Sequence, residues 1–328
     1  EAGIDGALLP CGEARLQRSQ MVAYRRAPAR DPPLVAPSLD QFGSDAPSRR
    51  GGEDGGFRED RFQFIDDFHR PYLRCTTHRA CRESHSHHVV FVVVIRQMAR
   101  DADVPIRHLW QTDDGFRAAS ARNMAVSAAQ GELIVFLDGD CIPRPDFIAQ
   151  HARLAQGGWF VAGSRLLLAP ALTQKAEDQQ WPLHQWGRGT WWLQTWKGQT
   201  NRWLPLLNLP GHAWRRSQPQ HWQSARTCNM AVWRSDLVAV NGFDESYQGW
   251  GHEDADLAVR LIRHGVHYKN GRFALTVLHL WHAENDRSQL PENVARLDAI
   301  LKGQHTQAPL GLAQRSPDSV RQALQPHA

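Results

Sequence analysis

Residues 133–141, LIVFLDGDC, restrict the fold more than any other stretch: five apolar residues run straight into two aspartates separated by one glycine. A short continuous apolar run of this kind reads as a strand buried on both faces, which requires helices or a second sheet to cover it. Asp138 and Asp140 then stand at the carboxyl end of the strand, where layered α/β sheets open toward ligands. On an extended strand residues i and i+2 share a face, so both carboxylates reach one cation, or a cation and a neighbouring hydroxyl. Gly139 leaves room for a ligand backbone or phosphate, and two hard oxygens suit Mg2+ or Mn2+. Cys141 points the other way on the same alternation. A D-G-D triplet is also what a solvated turn presents, so the apolar run before it carries much of the argument.

The flanking pattern supports a layered fold. Gly115 leads into FRAASARNMAVSAAQ, a predicted helix with a small face of Ala118, Ala121, Ala125 and Ala128, stopped by Gly131. PRPDFIAQHARLAQ reads as a helix entered through proline, and GWFVAGSRLLLA as another strand. IRHLW, residues 106–110, reads as a short strand. Val89–Ile95 has strand propensity, although Phe91, Val94, Ile95 and Met98 also repeat at helical spacing. Later, Glu253 to Arg263 forms a helix with Leu257, Leu261 and Ile262 inward, FALTVLHLWH a strand and PENVARLDAILKG a last helix. Strands and helices in such quick succession predict an α/β domain with a mainly parallel central sheet and flanking helices.

Of the 328 residues, 41% are apolar and 22% charged, which suits a globular chain. A net charge of +4 permits an anionic ligand or membrane surface and does not call for nucleic acid. No apolar run is long enough to span a bilayer, and the first residues lack the layout of a signal peptide. The five cysteines form neither a metal-spaced set nor a disulfide framework, so the expected compartment is a reducing cytoplasm, with attachment to its membrane face left open. Residues 1–87, rich in Pro, Gly, Ser and Arg, are expected to be an atypical, loosely ordered segment, and residues 304–328 a loose tail. Between them, residues 181–222 carry an unusual density of tryptophan. That insertion reads as a folded unit with a tryptophan core, as a carbohydrate-stacking wall, or as an interfacial patch in which Arg188, Lys197, Arg202, Arg215 and Arg216 face lipid headgroups.

A second acidic cluster lies in GWGHEDADL. Acids favour the first turn of a helix, which explains one of Glu253, Asp254 and Asp256 more comfortably than three. Gly249 and Gly251 allow a sharp turn that sets Trp250 over a pocket, an aromatic face above carboxylates that suits a sugar. The strand VLHLWH ends on His279 and His282. Either offers an imidazole to the metal, or is simply a core or surface histidine.

Together FLDGDCIPRPDF, GFRAASARN, TCNMAVWRSDLVAVNGFDESYQGWGHEDADL and VLHLWH resemble the bacterial family 2 glycosyltransferases, and the second half is similar to the C-terminal region shared with β-1,4-galactosyltransferases. The resemblance implies a GT-A-like domain over residues 88–303, a nucleotide-sugar donor, a saccharide or glycolipid acceptor, and Mn2+ or Mg2+. It implies that Asp138 and Asp140 hold metal and donor with His282 as third ligand, and that Arg122 lies by the nucleotide. Arg117 and Asp114 flank the donor side. Asp254 corresponds to the catalytic base, Glu253 assists at the acceptor, and Trp250 and Gly251 line the acceptor side. The chain departs from the family pattern in lacking an opening V-V-I-x-T-Y-N strand and a D-D-G-S before residue 100. That leaves residues 1–87 as a divergent substitute or as sequence read in another frame, and the N-terminal strands as missing or atypical.

The activity so implied is inverting, metal-dependent sugar transfer, with a UDP-linked donor, in surface polysaccharide or lipopolysaccharide synthesis, by a cytoplasmic protein peripheral to the inner face of a bacterial membrane. The alternative is a non-catalytic carbohydrate-binding or scaffold protein derived from the same fold. A phosphatase or nucleotidyltransferase would use the D-G-D site but leave GWGHED unexplained.

Overall fold

The computed structural model describes residues 20–23 and 106–315, apart from residues 108, 110, 112–114, 212 and 285. The expected strand at Val89–Ile95, Asp114 and most of the N-terminal segment therefore lie outside the described residues. Among the described residues there are two sheets and seven α-helices.

The five-stranded sheet runs β1 (Gln20–Ala23), β2 (Leu133–Asp138), β6 (Asn229–Trp233), β4 (Trp159–Ala162) and β7 (His267–Asn270). Ile134, Val135 and Phe136 of β2 are buried, as an apolar run without alternation requires. One face, carrying Ile134, Phe136, Phe160, Met230, Val232 and Tyr268, packs on helices α1 (Ala118–Ala128), α5 (Arg234–Ala239) and α6 (Glu253–Arg263). Val135 and Ala231 meet Phe147 of α2 (Phe147–Leu154) on the other face, with Val277 of the second sheet. The layered α/β prediction holds. The expectation of mainly parallel pairing does not hold among the described strands of this sheet: β4 and β7 pair in parallel, whereas β1 with β2, β2 with β6 and β6 with β4 are antiparallel. IRHLW is not a strand in its described residues; Arg107 instead donates to the Ala128 carbonyl at the end of α1, at 2.8 Å.

The stretch read as one strand, GWFVAGSRLLLA, is two. It leaves the large sheet after β4 and enters a three-stranded sheet of β3 (Cys141–Ile142), β8 (Thr276–His279) and β5 (Ser164–Leu167). The crossing residue is Gly163, whose N–H donates to the Asn229 carbonyl. A Cβ there would stand 2.3 Å from Asn229 Nδ2 and 2.5 Å from the Leu275 carbonyl, so only glycine fits. Asn229 holds the crossing, donating to the Ser164 and Leu275 carbonyls and meeting His151 at 3.1 Å. Gly163→Ala should therefore destabilise the domain by about 1–3 kcal/mol, read as a lower urea midpoint at unchanged slope. A midpoint equal to that of the parent would mean that the crossing is not tightly packed.

The outer face of the small sheet is covered by α3 (Pro170–Asp178) and the tryptophan-rich insertion, which contains α4 (Arg188–Trp196). Trp191 is fully buried against Trp186, and Trp186 against Trp181. The core reading of the insertion holds for these rings and fails for Trp192, Trp196 and Trp214, which are exposed. Arg215 is not at the surface either: it is 1% exposed and donates to the carbonyls of Leu209, Gly211, Asn270 and Arg272.

Helix α7 (Leu290–Lys302) closes the domain, and the expected loose tail is tied down as far as Arg315. Asn241 donates to the Ala308 carbonyl and accepts from the Ala313 N–H, while Arg315 pairs with Glu245 at 2.7 Å. A polar tail sequence gave no sign of these partners because most of them are backbone groups.

Candidate active site

Chain geometry at the D-G-D triplet differs from a simple strand end. β2 stops at Asp138, Gly139 and Asp140 make a turn, and the chain re-enters extended structure as β3 of the second sheet. Strand alternation thus does not carry across the triplet. Asp138 meets Arg122 of α1, whereas Asp140 meets the end of β8. Cys141 does not point away as alternation implied: its thiol donates to Asp140 Oδ1 at 3.5 Å.

Two histidines approach Asp140 Oδ2, His282 Nε2 at 3.3 Å and His279 Nε2 at 3.7 Å. His282 is the nearer. Its Nδ1 lies 2.6 Å from the Ala283 carbonyl. A carbonyl only accepts, so Nδ1 carries a hydrogen, which leaves the second ring nitrogen, Nε2, turned toward a carboxylate oxygen. Two lone pairs at that distance call for a positive charge between them, a proton or a cation. Burial, more than it is offset by Asp140, holds His279 below the usual histidine range and so neutral. Ligand atoms of Asp140, Cys141 and His279 lie within 4.8 Å of one another. Burial, then the neighbouring Cys228, pushes the Cys141 thiol well up, and its soft sulfur suits Mn2+ or Mg2+ poorly. Carboxylate oxygen and imidazole nitrogen remain, a donor set that fits a divalent cation such as Mn2+. His282→Ala should weaken Mn2+ binding by about tenfold or more, measured by titration calorimetry, since even partners that only support a ligand are worth that much. Unchanged affinity would remove His282 from the ligand set.

Arg122 joins the two acidic clusters. Its Nη2 contacts Asp138 Oδ1 at 3.1 Å and its Nη1 contacts Glu253 Oε1 at 2.8 Å, with the guanidinium side chain 4% exposed. Burial alone would favour loss of its proton; the charges of Asp138 and Glu253 more than reverse this, so Arg122 stays cationic. The next residue of the same triplet, Asn123, accepts from the Phe243 N–H and donates to the Phe243 carbonyl, holding the NGF turn. The small-faced helix expected from the alanines has thus turned: Arg122 and Asn123 are buried, and Ala121 and Ala125 only half-buried. Arg117 is the half-buried residue just before α1.

Helix α6 begins at Glu253, preceded by Gly249 (φ +70°), Gly251 (φ +115°) and His252, a non-glycine residue at φ +75°. Strain of this kind persists only where surroundings impose it. Here α7 does so: Asn293 donates to the Gln248 carbonyl at 2.8 Å, and a Cβ on Gly249 would stand 2.8 Å from Gln289 Cβ. Trp250 is 39% exposed, and Arg287 lies over its ring at 4.9 Å, covering one face. Asp254 is half-buried and accepts from the Ala255 N–H. Burial first, then the charge of Glu253, pushes its carboxyl up to about 6, against the opposing pull of Arg226 and Arg122. Asp256 separates from this group. It is fully buried and accepts twice from Arg260, whose Nη1 donates to the Val240 and Gly242 carbonyls, a role in holding the fold.

The site is thus a cationic bridge with a carboxylate–imidazole cluster on one side and a raised carboxyl beside an aromatic ring on the other. Residues 92–209 match the family model described as glycosyl transferase family 2, and residues 214–283 the one described as the N-terminal domain of galactosyltransferase. The D-G-D turn falls in the first match and the W-G-H-E-D loop in the second. The chain is 28% identical over 174 residues to a validoxylamine A glucosyltransferase of Streptomyces hygroscopicus subsp. jinggangensis, covering 49% of this chain and 39% of that protein. It is 24% identical over 239 residues to the hyaluronan synthase of Pasteurella multocida, covering 62% and 23% respectively. Identity to the chondroitin synthase of Escherichia coli is 24% over 185 residues, covering 50% and 25%. The chain spans less than half the length of each of these relatives. Among the described residues no helix is long and apolar enough to cross a membrane.

Proposed function

For a chain that joins a family 2 glycosyltransferase region to a galactosyltransferase-type region in one α/β domain, we propose inverting transfer of a sugar from a nucleotide donor, UDP-linked, to a saccharide or glycolipid acceptor. The reading rests on one observation above the others: Arg122 brings Asp138 and Glu253, one from each family region, onto a single guanidinium. Donor and acceptor chemistry thereby share one site. Surface polysaccharide or lipopolysaccharide assembly at the cytoplasmic face of a bacterial membrane is the setting we assign to it.

In this mechanism the acceptor hydroxyl lies against Asp254, whose carboxylate takes its proton as the oxygen attacks C1 of the donor sugar. The C1–O bond to the diphosphate breaks, its electron pair leaves with the diphosphate, and configuration at C1 inverts. Trp250 offers its uncovered face to the sugar C–H groups, and Glu253, fixed by Arg122, accepts from an acceptor hydroxyl. Gly251 lets the chain turn so that ring and carboxylates converge. Arg122 and Arg117 lie on the donor side and orient its anionic groups. Asp138, Asp140 and His282 would hold Mn2+ or Mg2+, which would supply positive charge to offset the negative charge developing on the leaving diphosphate.

The test is transfer from a panel of radiolabelled nucleotide sugars to oligosaccharides, with calorimetric titration of the nucleotides with and without Mn2+. Metal-dependent binding of a uridine nucleotide together with transfer supports the reading. Saccharide binding with no nucleotide affinity would replace it with the non-catalytic carbohydrate-binding protein.

A further inference from the structure

We propose that α4 and the loop after it form a docking surface for an anionic lipid bilayer. This deepens the membrane placement above and does not depend on the transfer chemistry. Trp192, Leu193 and Trp196 are 51%, 38% and 75% exposed. At helical spacing they fall within an arc of roughly 100°. Trp191, on the opposite side, is fully buried in the insertion's own core, so the helix is anchored without the exposed rings. Among the described residues these rings belong to no core cluster.

Charge selects the occupant. Residues 181–222 contain five Lys or Arg and no Asp or Glu. Arg215 is committed to backbone carbonyls inside the fold. Arg188, Lys197 and Arg202 are exposed at and beyond the two ends of α4, and Arg216 is exposed further along. A short helix with tryptophan on one face and cations at its ends lies in the plane of a headgroup layer, rings at the acyl boundary and cations at phosphate level. Nine residues are far too few to cross a bilayer. The surface therefore holds the protein against the membrane face without inserting a span.

The experiment is sedimentation of the full chain with vesicles of phosphatidylcholine alone and of phosphatidylcholine with phosphatidylglycerol, at rising salt. Three exposed cations near the surface predict a preference for the phosphatidylglycerol vesicles of about 100-fold at low salt, fading as salt rises. Trp192→Ser with Trp196→Ser should lower partition onto both vesicles by about tenfold or more. Lys197→Glu with Arg202→Glu should remove the preference for phosphatidylglycerol while leaving the weak binding to neutral vesicles. All of these side chains are exposed, so unchanged circular dichroism is expected of both variants. Absence of binding, equal partition onto the two vesicles, or full binding by the double tryptophan variant would overturn the assignment. So would loss, in that variant, of self-association or of oligosaccharide binding by a protein that ignores vesicles. Transfer to a soluble oligosaccharide is measured separately, so failure here leaves the enzymatic reading standing, and the reverse.

Discussion

Asp254→Asn should lower turnover by about 10²–10⁴-fold while leaving nucleotide affinity nearly unchanged. The amide keeps shape and polarity and loses only the capacity to take a proton. In the parent, rate should rise with pH through about 6, because the carboxylate is the working form and the carboxyl is pushed up to about 6. Stability should move the other way. A carboxyl raised above its ordinary value of 3.8 binds its proton more tightly in the folded state, so stability falls as pH rises from about 4 to about 6. Asp254→Asn escapes that loss and should be more stable than the parent at pH 7, on the order of 1–3 kcal/mol. Asp138→Asn provides the contrast, since it should weaken metal-dependent nucleotide binding together with rate. Normal turnover in Asp254→Asn, or equal loss of nucleotide binding in both variants, sinks the assignment of the base.

Arg122→Met should cost about 3–5 kcal/mol of stability, because it strips the cation from two carboxylates at the domain centre. Glu253 suffers most, its side chain being 12% exposed, against 30% for Asp138. Arg122→Lys keeps the charge but replaces a planar fork by a single ammonium, which cannot span both partners in the same way. It should recover much of the stability and still lower turnover. Urea midpoints and transfer rates for the two variants separate the contributions. A stability loss under about 1 kcal/mol in Arg122→Met would show that water, rather than Arg122, satisfies the two acids.

Reading the residues in order located β2, α1, α6 and α7 closely because each carries its own period and its own stop. β2 is an apolar run ended by a turn; α6 shows Leu257 and Leu261 one turn apart, both buried, before Gly265. Division of one strand at Gly163 was not legible, since an isolated glycine looks the same whether it relaxes a strand or passes it between sheets. Nor was the pairing direction, because β6 reaches its place between β2 and β4 through contacts distant in sequence.

Candidate site chemistry was legible as types and not as pairings. Aspartates beside glycine, a glycine-flanked tryptophan before acids, and a histidine ending a strand are local patterns. Linear spacing said nothing of Arg122 spanning Asp138 and Glu253, nor of Asp256 leaving the acidic cluster to pair with Arg260. It also placed Cys141 away from Asp140, because alternation fails where the chain turns between two sheets.

By itself the sequence determined the elements that its periodicity encodes and the residue types available to bind sugar, cation and proton. Only the tertiary structure decided which carboxylate meets the imidazoles, which is bridged by arginine, and which is raised by burial. Local patterns report on hydrogen bonding and burial within a few residues, whereas the partners of Asp140 and Glu253 and the charge state of Asp254 depend on groups that only the folded chain brings within a few ångströms.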